Sequence, residues 1–224
     1  MRQAFGLIAM TAFALFLVSW VARVDVSDRA KAHTALVSTT ACGVVSGTTG
    51  TAVVLDDSRL LTAAHTVIGA GSVVVSIDGV SRPAEIIGLD PRTDLALLDV
   101  PGVVASALQL GVAQTGEPVR YANGEGVVRS AEITRRLEIR IEEERSTVRS
   151  SRFGFEIDAT VELGDSGAGV FDDRGRLIGI IFGRSTTSGD RSFAVRSEEI
   201  TELLEVPEQR FVCNPSEDRV LPAG

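Results

Sequence analysis

Three short segments of this 224-residue chain carry side chains that could do chemistry together: Leu61-Thr-Ala-Ala-His65, Asp94-Leu-Ala-Leu-Leu98 and Gly164-Asp-Ser-Gly-Ala-Gly169. A serine hydroxyl is a weak nucleophile until a neighbouring base takes its proton, and a neutral imidazole suits that task. A buried carboxylate that accepts the other ring N–H fixes the imidazole tautomer and stabilises the imidazolium formed during attack. Ser166, His65 and Asp94 supply one group of each kind. Taken singly, each segment has an ordinary structural reading: a histidine after a strand, an aspartate at a turn, a Gly-Asp-Ser-Gly loop. Asp90 is a second carboxylate nearby, but it precedes Pro91 and fits a turn better. What distinguishes the three segments is their conjunction, in the order His, Asp, Ser, on a background of short strands.

That background is read from the spacing of apolar residues. The chain has 22 glycines, few aromatics, and short Val/Ile/Leu runs separated by turn residues, a composition that favours many short strands over helices. Strands are expected at Leu36–Ser46, Thr51–Leu55, Arg59–Thr62, Ser72–Ile77, Ala84–Leu89 and Leu95–Val100, with turns at Asp56-Asp57 and Asp78-Gly79. The Gly/Gln/Pro-containing stretch Gly111–Pro118 separates this run from a second that starts at Val119. The second run includes Leu137–Ile141, Phe153–Ile157, Ala168–Phe171, Arg176–Phe182 and Ser192–Val195. One helix is expected from Ser197 as its cap, with Glu198 and Glu199 near its N-terminal dipole. Ile200, Leu203 and Leu204 would form its apolar face, and Pro207 would limit it. His65 and Asp94 thus fall in one half of an all-β domain and Ser166 in the other.

The formal net charge of −8, with acids spread along the chain, lacks the basic patch that nucleic-acid binding requires. Residues Ala4 to Ala22 form 19 uncharged, apolar or small residues between Arg2 and Arg23, long enough to span a bilayer. Trp20, Val21 and Ala22 make a poor cleavage site, so residues 1–23 read as an uncleaved anchor in preference to a signal peptide. Residues 24–35, charged and without periodicity, read as a tether, residues 36–213 as the folded domain, and 214–224 as a tail. Two cysteines, Cys42 and Cys213, stand near the two ends of that domain. Their even count and their places at the two ends suit one disulfide in an exported domain better than two buried free thiols, and a bridge would place the domain outside the reducing cytoplasm. His33 lies in the tether and no metal-ligand cluster is evident, so neither a metal nor a cofactor is expected.

With these motifs in place, the chain resembles the trypsin-like serine peptidases of the chymotrypsin fold, especially bacterial relatives of the HtrA proteases. The resemblance runs from about Cys42 to Leu204 and also takes in Gly88-Leu-Asp-Pro-Arg-Thr-Asp-Leu-Ala-Leu-Leu and Gly175-Arg-Leu-Ile-Gly-Ile. An anchor followed by a two-cysteine domain is similar to the membrane-anchored actinobacterial periplasmic proteases. The resemblance implies two six-stranded antiparallel β-barrels, a short C-terminal helix, and hydrolysis of peptide bonds by His65, Asp94 and Ser166. It places an oxyanion hole at the backbone N–H groups of Gly164 and Ser166, and the base of the specificity pocket at Thr160, with Phe182 narrowing one wall. An uncharged Thr160 would favour small or medium uncharged side chains in protein or peptide substrates. The chain departs from zymogen-activated members in having no cleavage site followed by Ile-Val-Gly-Gly, which leaves Asp165 without an assigned partner. A PDZ domain of the kind that follows the protease in the HtrA enzymes is not expected from this sequence.

Overall fold

The computed structural model describes residues 25–43, 47–142, 149–217 and 219–223. The apolar segment 1–23 lies outside the described residues. Among the described residues no helix is long and apolar enough to cross a membrane.

The first barrel is built from β1 (Thr34–Ala41), β2 (Thr49–Val54), β3 (Arg59–Ala63), β4 (Ala70–Ile77), β5 (Val80–Asp90) and β6 (Leu95–Asp99). These pair antiparallel in the order β5-β4-β1-β2-β3-β6, and β5 also pairs with β6, which closes the ring. The β4–β5 turn shows why its sequence is Asp-Gly: Asp78 and Gly79 both have positive φ, 49° and 77°, as a tight two-residue hairpin requires. The second barrel is β7 (Pro118–Ala122), β8 (Val128–Glu142), β9 (Arg149–Ile157), β10 (Gly169–Phe171), β11 (Leu177–Arg184) and β12 (Ser192–Arg196), closed in the order β10-β11-β12-β9-β8-β7.

Each barrel has its own apolar interior, Val37, Leu60, Val75 and Leu98 in the first and Tyr121, Ile133, Phe155 and Ile178 in the second. A third cluster fills the seam between them, where Leu61, Leu95 and Leu97 meet Phe171, Leu177, Ile180 and Val195. Burying such side chains contributes about 1.5–3 kcal/mol each. The seam therefore holds the two halves as one unit, which a site divided between them needs.

Two terminal expectations are corrected. The stretch read as a tether contains α1 (Val26–Ala32), whose Asp25 carboxylate caps the Ser27 N–H at 2.9 Å and whose Ala30 is fully buried in the seam cluster. Its seven residues bury too little apolar surface to show a periodic stripe in the sequence. The segment read as a tail, 214–224, contains β14 (Arg219–Pro222), which pairs with β13 (Phe211–Asn214), and β13 in turn meets β5. The disulfide Cys42–Cys213, Cα–Cα 5.7 Å, ties this hairpin to the end of β1. Closing a loop of sequence separation 171 contributes about 5 kcal/mol in the chain-entropy model.

The expected helix is α3 (Ser197–Glu205), and it buries Ile200 and Leu203. Ser197 does not cap it; its hydroxyl donates instead to the Gly111 carbonyl at 2.5 Å, which fastens the helix to the inter-barrel connection.

Candidate active site

His65 and Asp94 are brought together by strand register. Ala63, the last residue of β3, pairs with Leu95, the first of β6, so the residues just beyond these ends are neighbours. His65 sits on a single helical turn, α2 (Ala64–Val67), that follows β3 directly. Asp94 then makes three bonds. Its carbonyl accepts from Ala64 N at 2.9 Å, Oδ1 accepts from His65 N at 2.8 Å, and Oδ2 lies 2.8 Å from His65 Nδ1. With a carboxylate on Nδ1, the imidazole holds its proton there and leaves Nε2 free to accept. Asp94 has φ 62°, a left-handed conformation that aspartate tolerates better than most residues and that this set of bonds holds in place.

Ser166 belongs to a loop of the second barrel that leans on β2 of the first. Thr51 N donates to the Ser166 carbonyl at 2.8 Å, and Thr51 Oγ1 donates to the Gly164 carbonyl at 2.7 Å. The approach is so close that a Cβ on Gly167 would lie 1.9 Å from the Thr51 carbonyl oxygen. Gly164 and Gly167 have φ of 100° and 92°, angles that only glycine adopts freely. Among the described residues the N–H groups of Gly164 and Ser166 have no acceptor, whereas Asp165, Gly167 and Ala168 donate to Glu162, Ile181 and Asp165. Buried or partly buried donors are rarely left open without reason.

The loop has a clamp that sequence reasoning missed. Asp165, 1 % exposed, accepts from Arg129 Nη1 on β8 at 3.1 Å and from Glu162 N at 2.9 Å. The acid left without a partner in the sequence thus pairs with a strand arginine. A buried aspartate demands a cation, but burial is not written in the local sequence, and β8 offers several arginines.

His65, Ser166, Gly164 and the exposed Leu163 share an open cleft of about 640 Å³, whose floor is the hydroxyl-rich ends of β1 and β2. Among the described residues no hydrogen bond joins Ser166 Oγ to His65 Nε2, although both residues line the same cleft. Thr160 and Phe182 are not part of this cleft. Thr160 Oγ1 donates to the Gly189 carbonyl at 2.9 Å. Phe182 stacks on Phe193, centroids 6.4 Å apart, and lies under the guanidinium of Arg152 at 4.8 Å. Arg152 is a second residue that no motif announced; its Nη1 is 3.3 Å from Asp94 Oδ2.

Away from the cleft, Glu117, Asp172 and Asp173 bring carboxyl oxygens within 4.8 Å of one another, the one such acidic group among the described residues. Asp172 already accepts from Arg174 N, Arg176 N and Arg176 Nε in the β10–β11 turn. Partial burial, reinforced by the charges of Asp172 and Asp173, lifts the Glu117 carboxyl above its usual range against the opposing pull of the Gln114 N–H.

Comparison with known proteins gives the family of the chain. A family model described as a trypsin-like peptidase domain matches residues 50–180, more than half of the chain. The serine protease Rv3671c of Mycobacterium tuberculosis is 27 % identical over 169 residues, covering 69 % of this chain and 41 % of that protein. A probable periplasmic serine endoprotease, DegP-like, of Halomonas elongata is 30 % identical over 159 residues, 64 % of this chain and 31 % of that one. The chain therefore spans well under half the length of these relatives. Among solved structures, the active form of the Rv3671c protease superposes with a TM-score of 0.73 at 25 % identity, covering 80 % of this chain and 82 % of that one. The HtrA-type protease AlgW with tripeptide gives 0.68 at 28 % identity, covering 80 % and 61 %.

Proposed function

Because the chain belongs to the trypsin-like peptidase family, we propose that it is a serine endopeptidase with His65, Asp94 and Ser166 as its triad. The observation that carries this reading is the two-point bond between His65 and Asp94 facing the cleft that also holds Ser166. In the proposed cycle Ser166 Oγ attacks the scissile carbonyl carbon and its proton passes to His65 Nε2. The carbonyl π electrons move onto oxygen, where the unpaired N–H groups of Gly164 and Ser166 stabilise the charge. Collapse of that intermediate breaks the C–N bond, and the departing amine takes the proton from His65. The acyl-enzyme is released when water attacks, giving its proton to His65 and freeing the carboxylic acid as Ser166 regains its hydrogen.

Action outside the cytoplasm is supported by the Cys42–Cys213 disulfide, and residues 1–23 would tether the domain to the membrane. The family resemblance proposes Thr160 and Phe182, which lie outside the cleft that holds Ser166, as determinants of the side chain preceding the scissile bond, with small or medium uncharged residues expected. A second reading is a membrane-anchored binding module on an inactive protease fold, because membership of a protease family does not by itself give an aligned triad. A fluorophosphonate probe separates the two: the wild-type domain should be labelled at Ser166 and should cleave peptides, and Ser166→Ala should do neither. Undiminished proteolysis by Ser166→Ala overturns the triad, and an unlabelled, inert wild type establishes the binding module.

A further inference from the structure

The Asp94 carboxylate serves two partners. Oδ2 faces His65 Nδ1 at 2.8 Å and Arg152 Nη1 at 3.3 Å, so one oxygen is shared by the imidazole of the first barrel and a guanidinium of the second. Arg152 is on β9, opposite Ile139 of β8, and its side chain is only 6 % exposed. A guanidinium so enclosed cannot shed its proton and must find an anion. Among the acids around it, Glu199 on α3 accepts from Phe153 N at 2.9 Å, and Asp90 accepts from both the backbone and the side chain of Arg92. Asp94 is the acid that Arg152 touches directly, while the Phe182 ring supports the guanidinium plane from β11 and Nε has no partner among the described residues.

We propose that Arg152 is a positioning residue for the triad: it orients the Asp94 carboxylate and, by sharing Oδ2 with the imidazole, makes protonation of His65 less favourable, so activity persists to lower pH than Asp94 alone would allow. This rests on the endopeptidase reading. The cause is electrostatic. An aspartate facing only an imidazole stabilises the imidazolium with its whole charge, whereas one already bound to a fixed cation stabilises it less. The charged groups that face the pair are Asp90 and Glu199, with Arg92 paired to Asp90, and none of them replaces the direct Arg152 contact. Burial, the largest effect, lowers the guanidinium pKa, and the charges of Asp94, Asp90 and Glu199 oppose it.

The test is the pH dependence of kcat/KM for wild type, Arg152→Gln and Arg152→Lys on one peptide substrate, with thermal melting of each. Gln keeps a donor for Asp94 but removes the charge; its acid limb should move to higher pH by about half a unit or more, with KM little changed. Lys, which keeps the charge, should return the limb toward its wild-type position. A folded Gln variant whose acid limb coincides with wild type overturns the proposal, because a merely structural arginine would lower stability without moving that limb. Should Gln not fold, Arg152→Met, which keeps much of the side-chain volume without the charge, takes its place: its acid limb should move to higher pH in the same way, and a folded Met variant whose limb coincides with wild type overturns the proposal. Ser166→Ala, run alongside, separates the two failures: activity surviving in it sinks the endopeptidase reading, whereas an inert alanine variant with an unmoved limb sinks only the role of Arg152.

Discussion

The two barrels deliver their share of the site in different ways. His65 and Asp94 stand just beyond the paired ends of β3 and β6, and their mutual bonds continue the ladder that holds those strands. Gly164 to Gly167 belong instead to a loop with no ladder of its own, shaped by two left-handed glycines, by Thr51 of the other barrel, and by the ion pair of buried Asp165 with half-buried Arg129. One half of the site is thus secured by backbone pairing and the other by an ion pair reaching across the second barrel. The difference locates the vulnerable points: side-chain chemistry in the first half, loop conformation in the second.

The comparison is broken most directly at Asp94. Asp94→Asn keeps the size of the side chain but presents the wrong group to His65 Nδ1, and kcat should fall on the order of 10⁴-fold with the fold retained. Steady-state kinetics on a peptide substrate would read it, and a loss under tenfold would mean that Asp94 does not orient the base. At Arg129 the prediction is smaller and different in kind. Arg129→Met leaves Asp165 buried without its cation, so the loop should relax and lose an oxyanion donor, costing about 10²- to 10³-fold in kcat. Because the His65–Asp94 pair is untouched, the pH profile should keep its shape. A variant with full activity would show that Thr51 alone shapes the loop.

The smallest effect concerns the seam. His33 follows α1, is buried, and has Nδ1 2.9 Å from the Val54 carbonyl of β2. Burial lowers its imidazole pKa, with the nearby Arg29 charge adding to the effect and the Val54 bond opposing it. Above about pH 6.5 the ring is neutral in both folded and unfolded chains and contributes no pH dependence. Below that value the unfolded chain takes up a proton that the folded one resists, so stability falls, by at most about 1.4 kcal/mol per pH unit from this group. His33→Gln should flatten the decline between pH 7 and pH 5 in urea unfolding, and an unchanged slope would remove His33 as a source of acid sensitivity.

Much of the chain was legible because its signals are local. Apolar runs bounded by turn residues located most strands to within a few positions, and Asp78-Gly79 marked its own hairpin through the backbone angles it favours. The order of His65, Asp94 and Ser166 assigned them to two halves, and the structure places all three at one cleft or bonded to it. The two cysteines, expected to form one disulfide, are joined. Local signals failed where an element depends on what it docks against. α1 carries only a short apolar contact, and β13 and β14 form a hairpin beside β5 although their sequence resembles a polar tail.

By itself, then, the sequence determined the strand-rich halves, the candidate triad and the position of the glycines that its loop requires. The strands and glycines follow from residue type and spacing within a few residues, and the candidate triad from the order of three short motifs along the chain. Only the tertiary structure decided which cations the two acids of the site would meet. Arg129 and Asp165 are 36 residues apart, and Arg152 reaches Asp94 from the other barrel. An arginine on a strand looks the same in sequence whether it points to solvent or to a buried carboxylate. Barrel closure and the packing of the seam make that choice, because they remove water from Asp94 and Asp165 and leave a fixed guanidinium as the nearby counter-charge.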